Sequence, residues 1–418
     1  MTDLLYDNEA RFTQGMRPRR VTIWDETLRD GEQAPGVAFH VEEKKAIARL
    51  LAEVGVGVLC AGMPVVSEDE RTAIREIAGM GLPCEVGVTG RCHEADLQAA
   101  HECGVRDFYM FLSVSRLHML CKFGMQGYDE LRATALRHIE LGQRLGLNIT
   151  FIAEDSTGTD PDELCALFHA IHGAGVRQAI ICDTAVRIPT PLAFYNFCRY
   201  VIGQSPPELA FAVHCHNDLG HAVTNTVLAV LAGATFPTVT VNGIGERAGN
   251  ASLEQVVATL EKIGIRTGVR LDRLQELSQL VQRASGMPVP MHAPVVGFNA
   301  FRHESGIHAA GVLEDPRTYE TILPEELGRQ REIVFGKHSG RRQLAALLED
   351  HNVPHAPALV DRLLADIKAM KEQQDHSAQQ GMMAMLQAYY RTQFGITTES
   401  ILCRARELAS DPELLETA

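Results

Sequence analysis

Two histidines separated by one residue are the sharpest chemical signal in this chain. His214 and His216 follow the apolar run Ala210–Val213, and side chains at positions i and i+2 of a strand point to the same face. The pair can therefore present two imidazoles to one ion. Two histidines with one carboxylate are a common catalytic metal arrangement, and Asp30 is the candidate third ligand. The alternative is a histidine that only bonds to backbone.

Other polar side chains also follow short apolar runs. Arg29 stands beside Asp30, where it can stabilise a developing oxyanion or form only a surface ion pair. Glu246 and Arg247 follow the last run, either as a structural ion pair or as site residues. Two other apolar runs are also followed by an acidic residue, one by Glu154-Asp155 and the next by Asp183-Thr184.

Eight short apolar runs in the first 245 residues must position these groups. They are rich in β-branched residues and too short for core helices, which predicts strands: Val21–Trp24, Val56–Ala61, Cys84–Val88, Phe108–Leu112, Ile149–Ala153, Ala179–Cys182, Ala210–Val213 and Val239–Val241. Helical patterns fill the gaps between them. Eight such units match the typical size of a (β/α)₈ TIM barrel, about 250 residues, whose catalytic residues lie at the C-terminal strand ends. A doubly wound open sheet is the alternative, weakened because no glycine-rich dinucleotide fingerprint follows the first run.

Changes in composition and in hydrophobic spacing along the chain predict four regions. Residues 1–20 form a polar, arginine-rich tail, and residues 21–275 form the barrel. Residues 276–340 combine a proline-containing linker with a lid segment. Residues 341–418 carry helical leucine spacing and no further run of strands, which predicts a small C-terminal helical region.

Composition narrows the function classes. The chain has 418 residues and a formal charge of -14, which argues against a nucleic-acid partner because phosphate contacts need a basic surface. Ten cysteines without a C-x-x-C pair indicate reduced thiols rather than a disulfide scaffold. The sequence contains no apolar run of 18 residues and no apolar segment in its first twenty, so we expect a cytoplasmic protein without a membrane span.

Four separated motifs resemble one enzyme family. Together they are similar to homocitrate synthase, and almost as similar to isopropylmalate and citramalate synthases, which are metal-dependent TIM-barrel Claisen-condensing enzymes. The motifs run from Asp25 to Gln33, from His214 to Asp218, from Gly245 to Asn250 and from His303 to His308. The resemblance covers about Val21 to Gly340. The C-terminal helical region resembles that of short bacterial homocitrate synthases, so we expect no leucine-feedback domain of the isopropylmalate synthase type.

The resemblance implies a reaction and a metal centre. The family condenses acetyl-CoA with a 2-oxo acid and then hydrolyses the thioester. By motif position, Asp30, His214 and His216 hold a divalent cation, with Asn250 nearby. The ligand set suits zinc, manganese, magnesium or cobalt. Arg29 neutralises the alkoxide formed at the keto carbon.

The resemblance also assigns substrate and proton-transfer roles. Gln33 lines the pocket, and Thr184 holds the substrate carboxylate. Glu154 and His308 match the pair that removes a proton from the acetyl methyl group, for which a histidine base suits neutral pH. His308 lies beyond the barrel segment, so we expect a homodimer that exchanges the lid between subunits.

Three departures from the family pattern bear on the substrate. Cys60 stands where relatives keep a glutamate, Arg116 stands where they often carry an acid, and Arg187 belongs to a Thr-Ala-Val-Arg run that replaces Thr-Val-Gly. Because arginine binds carboxylates bidentately, this pattern favours an anionic 2-oxo acid such as 2-oxoglutarate or phosphonopyruvate. The alternative leaves both arginines as solvated rim residues and the substrate as an apolar 2-oxo acid.

Two other functions compete. A retro-Claisen lyase can use the same barrel, but such lyases generally lack the segment from Phe298 to Gly340. A barrel that has lost activity and binds a metabolite as a sensor is the non-enzymatic alternative. The intact candidate residues Asp30, His214, His216, Glu154 and His308 argue against a sensor.

Overall fold

A computed structural model describes residues 8–13, 20–392 and 395–409 of the chain. Most of the predicted tail and residues 410–418 of the predicted C-terminal region therefore lie outside the described residues. The chain divides into two compact units. The first contains the described residues up to Ala34, together with Ala38–Ala300 and Pro324–Gln330, and the second contains Pro35–Val37, Phe301–Leu323 and the described residues from Arg331.

Eight parallel strands close into a barrel in the first unit. Each strand pairs with its neighbour in sequence and β1 pairs with β8, so the predicted (β/α)₈ barrel is confirmed and the open sheet is excluded. The strands are β1 (Trp24–Asp25), β2 (Val58–Cys60), β3 (Glu85–Arg91), β4 (Asp107–Ser113), β5 (Asn148–Glu154), β6 (Gln178–Asp183), β7 (Ala210–Cys215) and β8 (Phe236–Val239).

Helices follow the strands and cover the barrel. In the first unit they are α1 (Asn8–Phe12), α2 (Val41–Val54), α3 (Glu68–Gly79), α4 (Glu94–Glu102), α5 (Arg116–His118), α6 (Tyr128–Arg144), α7 (Pro161–Gly173), α8 (Pro191–Gln204), α9 (Ala222–Ala232), α10 (Leu253–Lys262) and α11 (Leu274–Ser285). In α2 the buried side chains include Ile47, Leu51 and Val54, whose spacing places them on one face of the helix. Gly55 ends α2 in the left-handed region, φ 103°, and a Cβ there would collide with the backbone oxygen of Gly268.

The barrel interior is packed with side chains. Trp24 and Tyr109 pack at a centroid distance of 4.3 Å, and both are fully buried. Cys60, Ile152 and Ile180 belong to the same cluster. The interior of the barrel is therefore a packed core rather than a pore.

The last barrel strand lies earlier than its predicted position. The apolar run Val239–Val241 predicts β8, but the strand spans Phe236–Val239. Pro237 and Thr238 interrupt the apolar pattern at that point. Thr238 is nevertheless buried, because its hydroxyl bonds to His214. Because Thr238 is polar and contacts His214, a search for apolar runs does not recognise this strand at its true position.

The second unit has its own small sheet. Strands β9 (Arg302–His303) and β10 (Glu332–Ile333) pair in parallel, and the helices are α12 (Gly306–Glu314), α13 (Arg341–Asp350), α14 (Pro357–Glu372), α15 (Ser377–Thr392) and α16 (Thr398–Leu408). The start of α12 lies directly against the segment before α13, where a Cβ on Gly306 would approach the Cα of Gly340 to 2.6 Å. The predicted C-terminal helical region is confirmed in the described residues. No helix among them is long and apolar enough to cross a bilayer.

Candidate active site

A cavity of about 220 Å³ opens among the residues at the C-terminal ends of the barrel strands. This is the end at which a TIM barrel carries its chemistry. One set of lining residues is polar or charged: Glu26, Arg29, Asp30, Gln33, Thr89, Glu154, Thr184, His214, His216, Glu246 and Arg247. The other set is less polar: Met63, Phe111, Ile152, Ile180 and Cys182.

The three predicted metal ligands converge in this cavity. Nε2 of His214 lies 2.9 Å from Oδ2 of Asp30, and Nε2 of His216 lies 3.9 Å from the same oxygen. One ligand atom from each of the three residues lies within 4.8 Å of the others, and all three residues are buried. The arrangement has the donor types and spacing of a divalent cation site.

The surroundings of the triad suit a cation. His216 Nδ1 and Asn250 Oδ1 are buried and have no hydrogen-bond partner in the described structure. The Nδ1 atom of His214 lies 2.9 Å from the Thr238 hydroxyl, a contact that fixes the ring with Nε2 toward Asp30. Buried polar atoms without partners are costly, and a bound ion is one way to satisfy them.

Electrostatics favour an ionised Asp30 and a neutral His216. Burial acts to raise the pKa of Asp30, but Arg29 and the two imidazoles hold it well below its usual range. Burial and the neighbouring His214 lower the pKa of His216 to about 3. An ionised carboxylate and a neutral imidazole are the forms that coordinate metals.

Arg29 is aimed at this centre by a residue that sequence reasoning missed. Its Nε donates to Oε2 of Glu26 at 2.7 Å, and its Nη1 lies 3.6 Å from Oδ2 of Asp30. Glu26 is fully buried, and its other oxygen has no partner in the described structure. Arg29 is therefore part of a buried network rather than a surface ion pair. Its neighbour Gln33 also lines the cavity, with Nε2 3.5 Å from Sδ of Met63.

Glu154 stands at the end of β5 and lines the cavity. Its carboxylate accepts bonds from Nζ of Lys122 at 2.8 and 2.9 Å and from the Ser113 hydroxyl. Neither Lys122 nor Ser113 was predicted. Lys122 lies nine residues beyond β4, where no strand-end pattern marks it.

Thr184 lines the cavity at the end of β6 and is held there by its neighbours. Its hydroxyl accepts from the backbone N–H of Asp155 at 2.9 Å, and its carbonyl accepts from Nη2 of Arg247 at 2.7 Å. Arg247 also binds Asp218 through two bonds of 2.9 and 2.7 Å. The ion-pair partner of Arg247 is thus Asp218, while Glu246 and Arg247 both line the cavity.

Four other predicted residues do not line the cavity. Cys60 is fully buried in the barrel interior, where burial raises the pKa of its thiol far above the ordinary range and its sulfur lies 3.2 Å from the Thr89 hydroxyl. Asn250 is buried beside His216, with which it forms a β-bridge. Arg116 is exposed at the start of α5. Arg187 is exposed and turns toward the buried carboxylate of Asp155, 3.5 Å from its Oδ1.

His308 belongs to the second unit. It lies in the first turns of α12, and its ring stacks on Tyr319 with centroids 4.1 Å apart. Nearby, Nε2 of His303 contacts Glu320 at 3.1 Å, and Glu320 also pairs with Arg331. The proton-transfer role of His308 stays a prediction.

Comparisons with known proteins identify the family. Residues 20–281 match the family described as HMGL-like, and residues 295–375 match the homocitrate synthase post-HMGL domain-like family. The chain belongs to the HMGL-like family. The second match includes the whole segment from Phe298 to Gly340, which the sequence analysis used to separate synthases from lyases.

Curated members of this family at high identity are synthases. The chain is 44% identical over 354 residues to homocitrate synthase AksA of Methanopyrus kandleri, covering 84% of this chain and 88% of that protein. It is also 44% identical to a probable 2-isopropylmalate synthase of the same organism, covering 84% and 70%. With (R)-citramalate synthase CimA of Methanocaldococcus jannaschii the identity is 42%, covering 79% and 66%. The resemblance to the homocitrate and isopropylmalate synthases is confirmed.

Solved structures of HMGL-like proteins share the fold. The HMG-CoA lyase of Bacillus subtilis superposes with a TM-score of 0.57 at 22% identity, covering 66% of this chain and 96% of the lyase. The enzyme of Pseudomonas aeruginosa gives 0.58 at 19% identity, covering 66% and 96%. At this level of identity the similarity concerns the barrel fold alone.

Proposed function

We propose that this protein is an acyltransferase that condenses acetyl-CoA with a 2-oxo acid and then hydrolyses the thioester, releasing CoA and a 2-hydroxy dicarboxylate or tricarboxylate. The observation that carries the proposal is the convergence of Asp30, His214 and His216 beside Arg29 in one cavity. The relatives at 44% identity are named as synthases, which supports this direction of reaction over a lyase. The intact triad also argues against a sensor.

A divalent cation fits the residues present. Asp30, His214 and His216 would hold it, and Asn250 would offer its unpartnered Oδ1 nearby. Such a cation supplies Lewis-acid polarisation of the keto oxygen and a template for the 2-oxo acid. Imidazole and carboxylate ligands can bind zinc, manganese, cobalt or magnesium, so this set of ligands does not select one metal.

The chain's own residues account for the charge movements. A base, His308 supported by Glu154, takes a proton from the acetyl methyl group, and the C–H electron pair moves into the enolate. The enolate carbon attacks the keto carbon, a C–C bond forms, and the keto oxygen becomes an alkoxide that takes up a proton. Arg29 stabilises that alkoxide, because its guanidinium is already fixed by Glu26. Water then attacks the thioester carbonyl, the C–S bond breaks, and CoA leaves as the thiol.

The cavity supports an apolar group on the 2-oxo acid. Phe111, Ile152 and Ile180 come from β4, β5 and β6 and form one wall. Arg116 and Arg187, the two arginines that favoured a distal anion, do not line the cavity. The lining cations Arg29 and Arg247 are already paired with carboxylates. We therefore propose an apolar 2-oxo acid such as 2-oxoisovalerate, with 2-oxoglutarate and a homocitrate product as the second candidate because of the AksA relatives.

Location and assembly follow the same proposal. All ten cysteines are free, which supports a reducing, cytoplasmic environment. In a homodimer that exchanges the lid between subunits, His308 of one subunit would reach the barrel cavity of the other. Exposed apolar side chains on the last helices support burial against a partner: Met382, Met383, Met385 and Ile401.

A thiol-release assay with a panel of 2-oxo acids tests the proposal. Purified protein is mixed with acetyl-CoA, a divalent metal and either 2-oxoisovalerate, pyruvate, 2-oxoglutarate or phosphonopyruvate. We expect CoA release that depends on the 2-oxo acid, with the highest kcat/KM for 2-oxoisovalerate. A higher kcat/KM for 2-oxoglutarate or phosphonopyruvate would reject the apolar substrate, and no release with any acid would reject the synthase.

A further inference from the structure

Lys122 makes more contacts to Glu154 than any other described side chain. Its ammonium lies 2.8 Å from Oε1 and 2.9 Å from Oε2, so it bonds to both carboxylate oxygens. It also donates to the Ser113 hydroxyl at 3.0 Å, and that hydroxyl donates to the same carboxylate. Lysine and serine together therefore fix the position of both carboxylate oxygens.

The segment after β4 is built to deliver this lysine. Ser115 caps the short helix α5, and its hydroxyl donates to Oδ2 of Asp155 at 2.6 Å. The chain continues as a π-helical turn over Met119–Phe123 and ends at Gly124 in the left-handed region, φ 66°. Single π-helical turns are frequent at functional sites. The turn brings Lys122 back over the end of β5, with the segment anchored on Asp155 at one end and Glu154 at the other.

Few other charged groups face Glu154. Nδ1 of His118 lies 3.9 Å from Oε1, beyond hydrogen-bond distance, and its Nε2 lies 3.6 Å from Oδ2 of Asp155. In the described part of the chain, Lys122 is the one lysine or arginine within ion-pair distance of Glu154. Lys122 is exposed, with 41% of its side-chain surface open to solvent, so simple ion pairing gives little stability. The contact is better explained by its effect on Glu154 than by its effect on folding.

We propose that Lys122 is a positioning residue for proton transfer from the acetyl methyl group. The proposal rests on the proposed condensation, in which Glu154 supports the base. Removing the proton creates a negative enolate close to the Glu154 carboxylate, and two like charges at close range repel each other. The Lys122 ammonium balances the carboxylate charge and holds its two oxygens in one orientation. Lys122 thereby acts through Glu154 on the C–H cleavage step.

Kinetics of Lys122→Met and Lys122→Arg test this assignment. We expect Lys122→Met to lower kcat roughly 10- to 100-fold, within the range of acid–base contributions, with little change in KM for the 2-oxo acid. Lys122→Arg should restore part of the rate, because its guanidinium can also bind both oxygens. The control is Lys45→Met, which breaks a pairing of the same kind with Glu42 and Glu76 on the surface helices.

The decisive readout is the isotope effect with trideuterated acetyl-CoA. If Lys122 supports C–H cleavage, the deuterium effect on kcat/KM rises in Lys122→Met and stays at the wild-type value in Lys45→Met. An unchanged kcat, or a rise in KM for the 2-oxo acid without a larger isotope effect, would overturn the proposal while leaving the condensation intact. A wild-type protein that releases no CoA with any 2-oxo acid would reject the condensation and this inference together.

Discussion

The Nε2 atom of His214 lies 2.9 Å from Oδ2 of Asp30. Asp30 follows β1 and His214 lies near the end of β7, and these two strands are not neighbours in the barrel. Strand β8 lies between β7 and β1, and its Thr238 contacts the other imidazole nitrogen. The loop after β1 thus supplies a carboxylate, β7 an imidazole, and β8 the hydroxyl that orients the imidazole. This relationship links the fold to the proposed metal chemistry.

Thr238→Val should weaken metal binding without removing a ligand. Valine keeps the shape of threonine but cannot bond to Nδ1 of His214, so the ring loses its fixed orientation. Loss of such an outer partner typically costs 10- to 100-fold in metal affinity, and we expect a loss of about that size. Titration calorimetry of chelator-treated protein measures it. Thr259→Val, on the exposed side of α10, should bind metal like the wild type.

Arg29→Lys should reduce turnover while leaving the metal in place. Lysine keeps the charge but cannot donate to Glu26 and the alkoxide with the geometry of a guanidinium. We expect kcat to fall roughly 100-fold, the effect of losing one oxyanion donor. Steady-state kinetics with metal analysis measure both quantities. Equal kcat in the variant and in the exposed control Arg144→Lys would remove Arg29 from the reaction.

Asp25→Asn should change how stability depends on pH. Burial raises the pKa of Asp25 to about 8, against about 3.9 in an unfolded chain. Between pH 4 and 8 the folded protein keeps this proton while the unfolded chain loses it, so the contribution of Asp25 to stability falls as pH rises through that window.

Asparagine abolishes this titration. Compared with the wild type, Asp25→Asn should therefore gain stability between pH 5 and 8, by up to about 1 kcal/mol per pH unit. Urea unfolding at several pH values measures the gain. The exposed variant Asp69→Asn should follow the wild-type profile, and a parallel profile for Asp25→Asn would contradict the account.

Val186→Gly should stabilise the loop after β6. Val186 has a φ of 48°, a left-handed conformation that a β-branched residue rarely adopts, and such strain costs on the order of 1–3 kcal/mol. Glycine removes the strain and adds only about 0.5–1 kcal/mol of chain entropy cost. We expect a net gain of about 1 kcal/mol in denaturant unfolding. Val66→Gly, at an exposed position without positive φ, should instead destabilise the protein.

The barrel and the cluster of Asp30, His214 and His216 could be predicted from sequence because their signals are local. Buried parallel strands are short apolar runs, and the polar residues that follow them share one rim of the barrel. That logic places Asp30, His214 and His216 together before any coordinates are known. The search for apolar runs placed β8 a few residues too late, because the strand contains the polar residue Thr238, whose hydroxyl contacts His214.

The remaining site residues depend on how loops turn, which local patterns do not encode. Arg187 and Thr184 both follow β6. Thr184 lines the cavity, whereas the Arg187 side chain lies against the buried carboxylate of Asp155 and does not. Lys122 lies far from any strand end, and only a π-helical turn returns it to Glu154. Glu26 follows β1 directly and lines the cavity, but its bond to Arg29, which reveals its role, depends on how the loop after β1 folds.

The central claim is tested most directly by following labelled carbon. Chelator-treated protein is incubated with doubly ¹³C-labelled acetyl-CoA and 2-oxoisovalerate, with and without added divalent metal, and the products are analysed by mass spectrometry. We predict a 2-hydroxy dicarboxylate that contains both labelled carbons, formed only when metal is present and not by Asp30→Asn. Release of labelled acetate and CoA without a new C–C bond, or equal product without metal, would contradict the account.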